Sequence, residues 1–462
     1  MRTIWLVPLF CLIGVIVAIA TTQYGYLAPV AILYLIFVRW SFNRPVVAVS
    51  VIVLAHLAIL EKSEGITPAE ILFGLYFFGY LSYWGACKLI RRQPILTSPP
   101  DYFLLLFLLL CCFSVAIGLF DNASLFKGFR EVLTVFSLLL YFPARDAMKM
   151  YRHRRIVLGA FLLMVMVFAF KNLLNWSVGA AAATYLWELL GSRTPANAHF
   201  FFALSVVSMA LIIHARKLSI RLCFLITLLI SAAALITSFA RGFWLGTLAG
   251  LVIMFILLDS RGKGRLLLYS FAGALLLGVI VLLSAPALAQ SFLAAIISRL
   301  ASSGNPLEDM SVATRLAESK AVLVSIPVSP IVGHGFGSTF SYYNPLDHMT
   351  VETWYAHNGY LFLIFKVGLA GLFLFLGFYI SVARIAWREL RRFTKADPEA
   401  GLEQGILATL LAMLLIAVSS NVFIEKQSLL IISLGAAFVL SRSRDPEASL
   451  SSQALGENSR PS

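Results

Sequence analysis

Three arginines and one histidine carry the residue types that chemistry would need. They are Arg193 in Gly-Ser-Arg-Thr-Pro, Arg241 in Ser-Phe-Ala-Arg-Gly-Phe-Trp, Arg315 in Ala-Thr-Arg-Leu-Ala-Glu and His357 in Tyr-Ala-His-Asn-Gly-Tyr. Arginine presents a planar, permanently charged fork that binds phosphate oxygens two at a time, so several converging on one interface can clamp a diphosphate. A neutral imidazole can take a proton from a sugar hydroxyl at physiological pH.

Each residue also has an ordinary reading. Arg241 sits in a tight connection between two apolar runs and could snorkel to lipid phosphate. Arg315 precedes Glu318, Ser319 and Lys320, and could lie on a solvated helix face or in an ion pair. Arg193 lies in a turn, with Asn197 just downstream, and a histidine at a helix start is commonly structural. Asn358 can cap the helix opening at Gly359 or bond a sugar, and Lys366, deeper in the same apolar run, can face an anion or a paired carboxylate. Gly333-His334-Gly335-Phe336-Gly337 has the look of a phosphate loop, but no Rossmann strand precedes it and no lysine follows it as in a nucleotide-binding loop, which favours a structural turn.

The elements that position these residues are set by composition. Of 462 residues, 60% are hydrophobic and 13% charged, and the mean hydropathy is +0.89, so polar surface is too scarce to coat a globule and lipid must cover the rest. The net charge of +14 comes in short clusters between apolar runs, the pattern of membrane topology and not of a nucleic-acid footprint. A helix crossing a bilayer needs roughly 20 apolar residues. Such runs fall near 4–20, 26–38, 46–60, 70–87, 102–120, 129–143, 156–173, 198–213, 220–239, 242–258, 266–285, 359–383, 403–419 and 428–441. The expected fold is all-α: a polytopic helical membrane protein of about 12–14 transmembrane helices with one large periplasmic helical loop. The runs 26–38 and 428–441 are short and could be tilted, paired or re-entrant.

Clusters such as Arg145 to Arg155 and Arg384 to Lys395 alternate with connections poor in Lys and Arg, and about two-thirds of the 36 basic residues fall on one side. That side is expected to be cytoplasmic, with both termini on it. The four residues of the opening paragraph fall on the other side. One domain is expected over 1–441, including a large loop at 286–358 with helical spacing at Phe292, Leu293, Ile296, Ile297 and Leu300 and again over 311–325. Residues 442–462 are expected to be a disordered cytoplasmic tail. The cysteines lie in or at the ends of apolar runs, which argues against a disulfide framework, and scattered histidines give no metal motif. No cofactor is expected.

The order and spacing of Ser238-Phe239-Ala240-Arg241-Gly242-Phe243-Trp244-Leu245-Gly246, Arg315, Pro330-Ile331-Val332-Gly333-His334-Gly335, His357-Asn358-Gly359-Tyr360-Leu361 and Lys366-Val367-Gly368-Leu369-Ala370-Gly371 resemble the O-antigen ligase and O-antigen polymerase (Wzy-C-like) superfamily. The resemblance is strongest over 190–385. It implies a C-type glycosyltransferase of the bacterial inner membrane that moves a glycan from undecaprenyl diphosphate to an acceptor sugar, lipid A core for a ligase or another lipid-linked glycan for a polymerase, with inversion and without a metal. It implies catalytic roles for His357, Arg241 and Arg315, and substrate contacts for Arg193, Asn358, Asn197 and Lys366. The polymerase reading admits a chain-length regulator as a partner. A glycolipid transporter or scaffold, whose arginines merely hold headgroups, is the reading from a different class.

Overall fold

The structure is a computed structural model that describes residues 27–59, 67–120, 123–182, 185, 188, 191, 195–284, 294, 296, 297, 310–392 and 398–443. The expected first span at 4–20, most of the expected helix around 292–300, and nearly all of the tail lie outside the described residues. The chain divides into two compact units, one formed by residues 1–97 and 139–164 and the other by 98–138 and 165–462.

In the first unit, α1 (Leu27–Phe42) packs on α3 (Pro68–Ile90) through Phe42, Tyr76 and Tyr80, and α2 (Pro45–Ile59) meets α3 through His56 edge-on to Phe73. Helix α3 starts with Pro68 after a capping box in which Thr67 and Glu70 satisfy each other's backbone amides. Near its end Lys88 forms an ion pair with Asp146, 2.8 Å away.

The second unit holds α4 (Pro99–Phe120) and α5 (Leu125–Val135), then α8 (Ala198–His214), α9 (Leu218–Thr237), α10 (Arg241–Leu257), α11 (Ser260–Ser284), α12 (Met310–Ser325), α13 (Gly359–Arg392), α14 (Pro398–Ile416) and α15 (Lys426–Arg442). Two helices come between in sequence: α6 (Tyr141–Ala147) in the first unit and α7 (Tyr151–Ala182), which enters the second at Val165. Among the described residues, five helices are long and apolar enough to cross a membrane; others, such as α8 and α10, are apolar but have 17 residues each. Helix α15 is buried from Gln427 to Arg442. A helix apolar on every side needs cover on every side, and here protein supplies it.

The expected span at 129–143 is not one helix. Helix α5 ends at Val135, a 3-10 turn covers Phe136–Leu140, and α6 restarts at Tyr141. Pro143 explains the break, because it can donate no bond to the carbonyl four residues back and fits only in a first turn. Helix α5 is also amphipathic, with Gly128, Glu131, Val132 and Val135 inward and Lys127 and Arg130 outward.

A second break lies inside α13, where Gly368 has φ 67° and ψ −174°. The segment Pro330–Gly337 fills it. His334 N–H donates to Phe365 carbonyl (2.7 Å), Gly335 N–H to Lys366 carbonyl (3.1 Å), Leu369 N–H to Pro330 carbonyl (2.9 Å) and Ala370 N–H to Ile331 carbonyl (3.1 Å). Interrupted backbone at membrane depth needs such partners, since hydrocarbon offers none. A Cβ at Gly368 would overlap the Ile331 carbonyl, and one at Gly335 the Gly118 amide, so both positions require glycine. The Gly-His-Gly-Phe-Gly stretch is therefore a structural turn.

The chain's one described sheet is a hairpin that the all-α expectation did not contain. Strands β1 (Phe340–Asn344) and β2 (Met349–Thr353) pair antiparallel, Phe340 opposite Thr353 and Asn344 opposite Met349. Helix α12 packs on β1 and also touches α13.

Candidate active site

His357 lies in the short connection between β2 and α13. Its ring Nδ1 is 2.7 Å from Glu318 Oε2 on α12, and its backbone N–H donates to the same oxygen at 3.2 Å. The Glu318 side chain is 6% exposed and that of His357 36%, so the carboxylate is enclosed while part of the imidazole opens outward. Burial, then the nearby charge of Glu318, pushes the hydroxyl pKa of Tyr342 on β1 up. The Tyr355 ring stands edge-on to His357 with centroids 5.2 Å apart.

Tyr355 fixes the far side. Its hydroxyl donates to Glu425 Oε1 at 3.0 Å, and burial, with the Glu425 charge second, raises its pKa far above the usual phenol range. The connection between α14 and α15 closes around the same place: Asn421 Nδ2 donates to Ala356 carbonyl at 2.9 Å, and Gly359 N–H to Ala417 carbonyl at 2.8 Å.

Arg241 is the first residue of α10, in a turn whose backbone is unusual. Phe239 is buried with φ 51°, a left-handed conformation that costs a bulky side chain energy. The turn is tied by Ser238 Oγ, which donates to Leu235 carbonyl and accepts from Ala240 N–H, and by Trp244 Nε1, which donates to Leu235 carbonyl at 3.0 Å. Gly242 comes so close to Ser419 that a Cβ would meet its Oγ at 3.2 Å. Arg241 thus sits beside the same 417–425 connection that holds the His357 junction.

Arg315 lies on α12 one turn before Glu318, and residues so spaced share a helix side. Of the expected catalytic residues, His357 bonds Glu318 and Arg315 shares its helix, while Gly242, next to Arg241, approaches Ser419.

The remaining candidates fall elsewhere or are committed. Arg193 lies outside the described residues. Asn197 precedes α8 and makes no capping bond, and its Oδ1 is buried without a hydrogen-bond partner. Asn358 Oδ1 accepts from the amides of Tyr360 (3.0 Å) and Leu361 (3.1 Å), the capping alternative. Lys366 takes the paired alternative: fully buried, its Nζ lies 2.8 Å from Glu131 Oε2 and donates to Ser338 carbonyl at 2.7 Å. Among the described residues no three His, Cys, Asp or Glu side chains gather as a metal site would need.

Glu131, Tyr342, Asn421 and Glu425 went unread in the sequence, and Glu318 was read only as a neighbour of Arg315. A carboxylate inside an apolar run, as at Glu131, is itself a signal that a partner exists. Asn421 and Glu425 sit in a polar gap between two apolar runs, where a site would be sought.

Residues 225–376 match the family model Wzy_C, described as O-antigen ligase. The matched stretch contains Arg241, Arg315, His357, Asn358 and Lys366. The match supports the resemblance to the O-antigen ligase (Wzy-C-like) superfamily over this stretch of a helical membrane protein, and a ligase-type or polymerase-like function in general. No curated protein matches the chain.

Proposed function

We propose, from the O-antigen ligase domain at 225–376, that this protein transfers a glycan from undecaprenyl diphosphate to a lipid A core sugar at the periplasmic face of the bacterial inner membrane. The observation that carries this reading is Glu318, which brings together His357 and the helix bearing Arg315 at one surface-open junction. The distribution of Lys and Arg supports cytoplasmic termini and, with them, an outward-facing junction.

In this scheme the acceptor hydroxyl oxygen attacks the anomeric carbon from the face opposite the diphosphate. The hydroxyl proton passes to His357 Nε2 as the new C–O bond forms. The bond from the anomeric carbon to the diphosphate oxygen breaks, and its electron pair leaves on undecaprenyl diphosphate. Arg241 and Arg315, with Arg193 upstream, meet the developing negative charge; fixed guanidinium groups are suited to this because they need no reorganisation as charge grows. The anomeric centre inverts. The same steps with a second lipid-linked glycan as acceptor amount to polymerisation.

The test is transfer in liposomes holding purified protein, undecaprenyl-diphosphate glycan and lipid A core. Wild type should glycosylate the core, and His357→Ala should lose on the order of 10²-fold or more of that turnover. Lengthened lipid-linked glycan with no core product means polymerase. Absence of both products overturns the reading in favour of a glycolipid carrier, and a fully active His357→Ala removes His357 from the scheme.

A further inference from the structure

Glu318 is nearly enclosed, accepts two hydrogen bonds from His357 and takes no part in the bond changes above. We infer that Glu318 is the positioning residue of His357: it holds the imidazole in the tautomer with the proton on Nδ1, so that Nε2 presents its lone pair to the acceptor hydroxyl. This rests on the glycosyl-transfer reading for its consequence, though not for its geometry.

An ionised carboxylate has only acceptor sites. The contact at 2.7 Å between Glu318 Oε2 and His357 Nδ1 therefore requires the hydrogen to sit on Nδ1 whenever the imidazole is neutral. Which ring nitrogen of a histidine carries the proton is set by the bond the other one makes. Without such a bond both tautomers are open, and the one with its proton on Nε2 cannot take a proton there.

The same carboxylate oxygen also accepts the backbone N–H of His357, at 3.2 Å. One oxygen thus binds main chain and ring of one residue, which fixes the side chain against rotation about both of its torsions. The edge of Tyr355 limits the swing of the ring from the other side. Two donors of His357 thus converge on one enclosed carboxylate oxygen. Glu318 reaches His357 across 39 residues of sequence, by way of α12 and the hairpin, so the large loop as a whole sets the orientation of the imidazole.

A carboxylate that merely clips α12 to the junction would make the same contacts. The two roles separate by experiment. Full-length protein labelled with 15N-histidine in liposomes, studied by solid-state NMR at a pH where histidines are neutral, reports the tautomer directly. The sequence has seven histidines, and His357→Gln identifies the signal. Wild type should show Nδ1 protonated and Nε2 bare, and Glu318→Ala should turn His357 to the opposite tautomer or a mixture. An Nε2-protonated wild type, or a tautomer unmoved by Glu318→Ala, overturns the inference whatever the protein's activity.

The kinetic arm asks whether Glu318 acts through His357. Glu318→Ala should lower kcat on the order of 10²-fold with the donor KM little changed. In the His357→Ala background it should cost nothing further, whereas a clip would add its own loss to both backgrounds. Glu318→Gln keeps the shape and an acceptor oxygen without the charge. It should unfold at the temperature of wild type and still lower kcat, which keeps the test open if the alanine variant fails to fold. A wild type without transfer activity would sink the proposed function and leave the tautomer result standing.

Discussion

Lys366 Nζ lies 2.8 Å from Glu131 Oε2 with the lysine wholly buried, so α13 is pinned to α5 by an ion pair in the interior. Ser338 carbonyl accepts from the same ammonium, and Gly337 N–H donates to the same carboxylate oxygen at 3.2 Å. Four elements of the second unit meet there, namely α5, the 330–338 segment, α13 and, through Ser114 Oγ donating to Lys366 carbonyl at 2.6 Å, α4.

Removing one partner of such a pair strands the other. Lys366→Met should lower stability by about 3–5 kcal/mol, and Lys366→Met with Glu131→Leu should recover most of it, because no charge is then left buried. Unfolding in detergent by denaturant checks both variants. A double variant no better than the single would show that the pair's value lies in its bonds to Gly337 and Ser338.

Gly368→Ala should be more damaging than an ordinary helix substitution, which for glycine to alanine stabilises by up to about 1 kcal/mol. Here the backbone is left-handed and a Cβ overlaps Ile331. The expected outcome is a lower unfolding midpoint together with faster proteolysis at 330–338 as that segment is pushed from the break.

Arg241→Ala is expected to reduce glycan transfer about 10²–10³-fold, the usual cost of losing one donor to a developing anion. Arg241→Lys should restore only part, since an ammonium cannot reproduce a two-point fork. Turnover in liposomes measures this; undiminished turnover in the alanine variant would remove Arg241 from the scheme.

Asn358→Ala should act on stability more than on chemistry. Its carboxamide caps α13 through Tyr360 and Leu361, so the change should cost about 0.5–2 kcal/mol while turnover per folded molecule stays near that of wild type. Asn358→Asp keeps the acceptor and should be close to neutral. A collapse of turnover in a well-folded alanine variant would instead assign Asn358 to the sugar.

Much of this was legible in the sequence where a single local rule governs. Helices α8 and α4 fall within a few residues of the expected 198–213 and 102–120, because unbroken apolar runs leave little choice. Expectation failed at 129–143, where hydropathy was read and Pro143 was not weighed. No reading was made at 340–353, where Phe340-Ser-Tyr-Tyr-Asn and Met-Thr-Val-Glu-Thr have the aromatic and β-branched composition of strands. The arginines and His357 could be picked out by type and place. The partners that decide what they do, Glu318 for His357 and Glu131 for Lys366, lie far away in sequence, beyond any periodicity.

The filled break in α13 also bears on how the chain is made. Ser114, Glu131 and the whole of Pro330–Gly337 precede Lys366 and Gly368 in the sequence. During synthesis from the N-terminus, every group that must satisfy the interrupted backbone and the buried ammonium has left the ribosome before the residues that need it. The most demanding helix of the second unit is thus one whose berth is already built when it arrives, and a circular permutation that moved α13 ahead of α4 would take that advantage away.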